Sequence, residues 1–342
     1  MKRLDQKLAR IRAGQYTRAD FVIADAKDGD MGSGCTTAAP PRNRDGSAAS
    51  GPRRLRAYLD QISAIVRQDI VDIMLMSASN LERLTEEGLF RDSAVQPAIR
   101  ANEATDCWGG LRGGRYPAHP SRPFRTAKIS RVMHGTLHPA PGAAITGTDL
   151  GLYSVTFNND IDADMASLEA FAAFRDEAAE NGFRYFLEVF NPNAPQNLDP
   201  AEVPKFLNDH ILRALAAVMR ADRPQFLKIP FNGPAALEEL VEYDPSLIVG
   251  VLGGGAGTTR DTFELLYQAE KYGARVALFG RKINLADSPL DIVFFMREVA
   301  SGTLTPDEAV RAYHGALQKQ GITPSRRLAE DNLVTEAVLK QG

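Results

Sequence analysis

The chain of 342 residues is 44% hydrophobic, enough to bury a large core, and nothing in its composition forces more than one domain. Its 40 basic residues are scattered among 43 acidic ones for a formal net charge of −3, which excludes a one-signed field for nucleic acid or an anionic membrane and favours small-molecule chemistry. The two cysteines, Cys35 and Cys107, suit a reducing compartment better than a disulfide framework; with no apolar signal core near Met1 and no run of about 18 apolar residues, a soluble cytoplasmic protein is expected.

Apolar residues at helical spacing predict a short leading helix over Leu4–Ile11. Phe21-Val22-Ile23-Ala24-Asp25-Ala26-Lys27 reads as a buried strand that runs into the charged, glycine-rich turn Asp28-Gly29-Asp30-Met31-Gly32. The small, Pro- and Gly-rich stretch from Cys35 to Pro52 predicts a mobile loop. Arg54–Arg67 is an amphipathic helix with Leu55, Tyr58, Leu59, Ile62 and Ile65 on one side. A second strand is expected over Asp72–Ser77, then a helix capped by Asn80 and running through Glu87, then a third strand over Val95–Ala101.

From Thr105 to Gly151 this rhythm breaks. The stretch holds Trp108, two Gly-Gly pairs and three of the five histidines, and at about 45 residues it is too long for an ordinary connection. It reads as an elaborated loop covering a site or a neighbouring subunit, with a short helix near Ala127–Met133. Beyond it strands are predicted at Leu152–Phe157, Arg184–Phe190, Phe226–Pro230, Leu247–Leu252 and Val276–Phe279. Helices are predicted at Met165–Asn181, Val203–Met219, Ala235–Val241, Thr258–Tyr272, Pro289–Val299 and Pro306–Lys319, with another near the C-terminus. Three strands before the insertion and five after it, separated by helices, predict an α/β fold: a (β/α)8 TIM barrel in one domain, with 105–151 inserted after strand three. A doubly wound open sheet is the alternative, but no Gly-x-Gly-x-x-Gly loop follows the first strand.

Reactive groups of such a barrel sit where the carboxyl ends of the strands converge. Lys228 is a lone charge inside the apolar run Phe226-Leu227-Lys228-Ile229-Pro230. A buried ammonium either finds a carboxylate or sheds its proton, and a neutral lysine amine is a nucleophile. Alone, such a lysine reads more readily as a structural ion pair. Residues two apart share a strand face, which groups Ile23, Asp25 and Lys27, then Phe186, Glu188 and Phe190, then Phe226, Lys228 and Pro230. On this parity Asp25, Glu188 and Lys228 project into one barrel mouth, and three charges within apolar strands are harder to explain as structure than one. Gly253-Gly254-Gly255-Ala256-Gly257-Thr258 closes strand seven and Gly280-Arg281-Lys282 closes strand eight. Their backbone N–H groups and the Arg281 guanidinium suit a phosphate, although glycines also simply permit tight turns.

Ala24-Asp25-Ala26-Lys27-Asp28-Gly29-Asp30-Met31-Gly32, Phe186-Leu187-Glu188, Phe226-Leu227-Lys228-Ile229, Leu252-Gly253-Gly254-Gly255 and Phe279-Gly280-Arg281, in that order, resemble the class I aldolases of the archaeal-type fructose-bisphosphate and tagatose 1,6-bisphosphate aldolase superfamily. The resemblance is strongest from about Leu152 to Gly302. It implies a cofactor-free and metal-free Schiff-base aldolase acting on a sugar phosphate, assembled as a homo-oligomer. Lys228 matches the strand-six lysine that forms the imine, Asp25 the strand-one aspartate, and Glu188 the strand-five glutamate of the tagatose-bisphosphate branch. In that scheme the Lys27 charge helps to keep Lys228 neutral, Glu188 shuttles protons, and Asp25 orients the lysine and the substrate hydroxyls. Lys27 and Asp28, with Gly253, Gly254, Gly255, Gly280 and Arg281, are the expected substrate and phosphate contacts. Strand one reads Asp-Ala-Lys-Asp-Gly-Asp where the family has Asp-His-Gly or Asp-Gln-Arg-Gly, so Asp28 rivals Asp25 as the strand-one acid.

Three other readings compete. A metal-dependent aldolase wants histidines at strand ends, and none of the five lies on a predicted strand; His134 and His138 are four apart, but Gly135 and Pro139 argue against a helix aligning them. An isomerase, epimerase or decarboxylase would use Asp25-Ala26-Lys27-Asp28 as a charged array with Lys228 as an electrostatic helper. A sugar-phosphate-binding barrel without catalysis would use the insertion as its interface.

Overall fold

The computed structural model describes residues 2–36, 47 and 54–342, so most of the loop expected over 35–52 lies outside the described residues. Eight parallel strands close into a barrel in chain order: β1 (Val22–Lys27), β2 (Ile73–Met76), β3 (Gln96–Arg100), β4 (Leu150–Thr156), β5 (Arg184–Phe190), β6 (Leu227–Ile229), β7 (Val249–Leu252) and β8 (Val276–Phe279), with β8 returning to β1. The fold is therefore the (β/α)8 TIM barrel, and the open sheet is excluded. No helix among the described residues is long and apolar enough to cross a membrane.

The strand register decides which side chains point inward. Ser154, Glu188 and Lys228 lie side by side on β4, β5 and β6, and the same level continues through Gly250 and Val276 to Val22. Neighbours at one level of a parallel sheet share a face, so Val22, Ala24, Ala26 and, past the strand end, Asp28 share the face of Lys228. The packing agrees. Val22 and Ala24 join Ile73, Leu75, Ala98, Leu152, Phe186, Phe226 and Leu278 in the barrel interior, whereas Ile23 packs outward among the helices. Asp25 and Lys27 follow Ile23 and face outward, which corrects the parity read from the sequence. A Cβ at position 250 would come within 2.7 Å of Val276, so glycine keeps this level of the interior open beside Lys228.

The amino-terminal helix Arg3–Arg12 lays Leu4 and Leu8 against the interior cluster and seals the bottom of the barrel. Its anchor is Asp72, fully buried, which accepts hydrogen bonds from Arg3 Nε at 2.8 Å and from Lys7 Nζ, Arg297 Nη2 and the Ile23 amide at 2.9 Å. One carboxylate thus ties the plug, β1 and the helix Pro289–Ser301 to the start of β2.

Helix starts depart from expectation where the capping residue differs. The helix after β2 spans Ala78–Glu86 with Ser77 at its N-cap; Asn80 lies buried in the first turn and donates to Asp30 Oδ2 at 3.1 Å, tying this helix to the loop after β1. The helix after β4 begins at Ile161 because the Asp160 carboxylate accepts the Ala163 amide.

The insertion between β3 and β4 is built on a two-stranded ribbon, Glu103–Ala104 against Pro123–Phe124, with a helix at Ile129–His134 close to where one is predicted. Trp108 sits edge-on to both Tyr116 and Phe124, with ring centroids 4.8 Å apart in each case. The insertion is pinned to three strand ends. Asp106 accepts the Thr156 hydroxyl at 2.6 Å after β4, Asn193 after β5 donates to the Pro117 and His119 carbonyls at 2.9 and 2.8 Å, and the Cys107 carbonyl is packed on Gly32 after β1. It roofs that side of the mouth and leaves the glycine-rich loops after β7 and β8 uncovered.

Replacing Asp72 with alanine strands Arg3, Lys7 and Arg297 around a buried void. Loss of about 3–5 kcal/mol is expected, read as a lower urea midpoint with an unchanged slope.

Candidate active site

At the carboxyl end of the barrel a cleft of about 250 Å³ is lined by Asp28, Arg100, Glu188, Lys228 and Arg281 together with Tyr58, Phe190, Leu278 and the glycines of the last two loops. Its floor is apolar. Phe186 and Phe226, one inward position below Glu188 and Lys228, stack with centroids 4.6 Å apart and planes 13° from parallel. Charges above this floor are cut off from water on one side and must satisfy one another.

They do so in a continuous chain. Lys228 Nζ lies 2.5 Å from Glu188 Oε1. The other carboxylate oxygen of Glu188 accepts the Ser154 hydroxyl at 2.6 Å and Arg100 Nη2 at 3.1 Å. Arg100 also donates from Nε to Asp28 Oδ2 at 2.6 Å and from Nη1 to Ser154 Oγ at 2.7 Å. Ser154 is held by its backbone: its amide donates to Asn102 Oδ1 at 2.7 Å and its carbonyl accepts Asn102 Nδ2 at 2.8 Å. Each member of the chain therefore rests on a strand or a strand end rather than on a free loop.

Burial pushes the Asp28 carboxyl up, but the Arg100 and Lys228 charges outweigh it and hold it below the ordinary carboxylate range. Cys107, 3.9 Å from Arg100 Nη1, is pushed up to about 12 by burial and stays a thiol. The Tyr58 hydroxyl, raised by burial and by Asp28, Asp30 and Asp25, stays protonated and can only donate or accept a hydrogen bond.

The structure brings Glu188, Lys228 and Asp28 together and leaves Asp25 out. Asp25 and Lys27, both fully buried, form an ion pair at 3.1 Å on the outward face, and burial raises the Asp25 carboxyl. Lys27 is thus no neighbour of Lys228, and the stretch Asp25-Ala26-Lys27-Asp28 does not form one charged array, since Ala26 and Asp28 face in while Asp25 and Lys27 face out. Arg100 and Ser154 were not singled out from the sequence. Their signal was present: Arg100 follows the apolar run Pro97-Ala98-Ile99 at a strand end, the same pattern that marks Lys228.

Of the expected phosphate contacts, Gly253, Gly254, Gly280 and Arg281 line the cleft. Gly254 adopts φ +64°, and nothing stands within 4 Å of a Cβ built at Gly254 or Gly255. Much of the rest of this rim is already occupied by the chain's own acids. The Thr259 amide donates to Asp331 at 2.9 Å, the Thr258 amide to Asp261 at 2.9 Å, and Lys282 Nζ lies 2.7 Å from Glu336. Arg281 is exposed and makes no ion pair among the described residues. His134, expected from the sequence to be unsuited to a metal, ends the insertion's helix with Nδ1 3.0 Å from the Ala144 carbonyl oxygen.

No protein-family model matches the chain, and no curated protein is similar to it in sequence. Solved structures share its fold. A fructose-bisphosphate aldolase from Slackia heliotrinireducens superposes with a TM-score of 0.63 at 12% identity, over 92% of this chain and 91% of its own. An archaeal fructose 1,6-bisphosphate aldolase gives 0.59 at 14% identity, over 87% and 99%. An archaeal fructose-1,6-bisphosphate aldolase whose catalytic lysine is covalently bound to the carbinolamine intermediate of its substrate gives 0.59 at 15%, over 87% and 100%. The barrel is thus the one on which Schiff-base aldolases are built, and at these identities the likeness is one of fold.

Lys27→Met removes the ion-pair partner of Asp25 from the outer layer. A loss of about 3–5 kcal/mol in stability is expected, with the folded protein still modified at Lys228 by carbonyl compounds and borohydride. Loss of that modification in folded protein would return Lys27 to the site.

Proposed function

We propose that the protein is a carbon–carbon lyase of the class I aldolase type, cleaving a phosphorylated ketose or related sugar acid through an imine on Lys228. The observation that carries this reading is the 2.5 Å contact between Lys228 Nζ and Glu188 Oε1 inside the apolar-floored mouth. A lysine held against a carboxylate there has a proton acceptor at hand, and the amine left behind can attack a carbonyl carbon. The aldolases that share the fold support the same chemistry.

The steps follow from the chain of contacts. Glu188 takes a proton from Lys228, the amine adds to the substrate carbonyl, and the carbinolamine oxygen leaves as water once Glu188 returns the proton. The cationic imine then draws in the electrons of the bond between its alpha and beta carbons, which breaks as the alpha carbon becomes part of an enamine. The hydroxyl proton passes to the carboxylate, an aldehyde departs, and the remaining enamine is protonated and hydrolysed. Asp28, in the place first expected of Asp25, faces the substrate hydroxyls while Arg100 fixes its distance from Glu188. Arg281, the surplus cation beside two acids and two bases in the cleft lining, suits one anionic group of the substrate.

Incubation with candidate ketose phosphates and borohydride, followed by peptide mapping, is expected to show a reduced adduct on Lys228. An adduct elsewhere, or none, would sink the imine. Glu188→Gln should lower turnover by roughly 10²- to 10⁴-fold, the range of a lost acid–base group. Arg100→Met should do the same while the melting profile still shows a folded protein.

A further inference from the structure

Beside the reaction cleft lies a larger cavity of about 570 Å³, within the range of small-molecule sites, walled by Pro192, Leu198, Val203, Pro230, Phe231 and Val338. It adjoins the cleft across the end of β7, where Leu252, Gly253 and Gly254 line both. It also begins one inward position beyond the proposed nucleophile: Pro230 follows Lys228 by two residues on the same face. The cavity wall at Pro230 and Phe231 thus lies just past the strand position of Lys228, which lines the cleft itself.

The side chains that wall this space offer no free positive charge. Its polar side chains are already satisfied within the protein. Asn191 and Asn232 bond each other reciprocally at 2.9 and 2.8 Å, and Glu336 is taken by Lys282 at 2.7 Å. A second phosphate here would meet no unpaired cationic side chain among the described residues and would face the Glu336 carboxylate. A hydrocarbon chain or ring would lose only water.

We infer that this cavity is the subsite for an apolar half of the substrate, so that the compound cleaved carries an anionic group toward Arg281 and a hydrocarbon group toward Phe231. The inference rests on the reading of Lys228 as the imine-forming residue and narrows it: the cleavage releases or retains an apolar fragment rather than a second phosphorylated one. The C-terminal segment contributes Val338 and the paired Glu336 to the walls, which makes it part of substrate selection.

The test uses the full-length protein and a series of methyl ketones, acetone, 2-butanone, 2-hexanone and 2-octanone, trapped on Lys228 with borohydride. The Nζ–carbon bond forms, the carbonyl oxygen leaves as water, and hydride reduces the imine to a secondary amine. Apolar burial predicts that trapping at subsaturating ketone rises roughly three- to fourfold per added methylene until the cavity is filled. Leu198→Trp and, independently, Val338→Trp should each lower the 2-octanone to acetone ratio by at least tenfold. Two substitutions on separate elements guard against one of them disturbing the fold, which circular dichroism checks. Trapping without length dependence, or a length dependence that both substitutions leave intact, overturns the subsite and spares the imine. If no ketone is trapped, calorimetric titration of 2-octanone into the wild type and into Lys228→Met decides. Binding to both that Leu198→Trp abolishes keeps the apolar subsite while the imine falls, and no binding to either overturns the subsite as well.

Discussion

The guanidinium of Arg100 is the contact on which the mouth of this barrel depends. It reaches Asp28 after β1, Ser154 on β4 and Glu188 on β5 in one planar fork, and through Glu188 it sets the position of Lys228 on β6. Without it, two carboxylates would face each other over an apolar floor, an arrangement that low dielectric makes unfavourable. With it, two acids and two bases balance, the Asp28 carboxyl is held below the ordinary carboxylate range, and the geometry is borne by strands rather than loops.

Charge is buried at three levels of the same barrel for different physical ends. At the bottom, Asp72 gathers three cations and a backbone amide to clamp the plug helix. Between barrel and helices, Asp25 and Lys27 form an ion pair on the face turned away from the cleft. At the mouth, the Arg100 chain leaves Lys228 accessible from the cleft. Burial alone does not separate these cases, because all three sets are largely shielded from water; the difference is the face on which each group emerges and whether a cavity adjoins it.

The surroundings of the mouth are divided in the same way. The insertion, locked on Trp108 and pinned to the ends of β1, β4 and β5, roofs one side. The C-terminal segment lines the other, where Asp331 and Glu336 take up the Thr259 amide and the Lys282 ammonium. Between them lie Arg281, which makes no ion pair among the described residues, and an apolar hollow.

The sequence by itself determined the barrel, because buried strands alternating with amphipathic helices recur eight times, with glycine or proline at most of the returns. It also singled out Lys228 and Glu188, since a charge inside an apolar run is conspicuous wherever the run folds. It did not determine which face of β1 is the interior. Strands of a closed parallel barrel are apolar on both sides, so Asp25 and Asp28 look equally eligible until register carries the face of Lys228 through Gly250 and Val276 to Val22. Nor could it place Arg100 beside Asp28, Ser154 and Glu188, which lie 72, 54 and 88 positions away along the chain. Only barrel closure, which sets distant strand ends side by side at hydrogen-bonding distance, decided that these residues share one site.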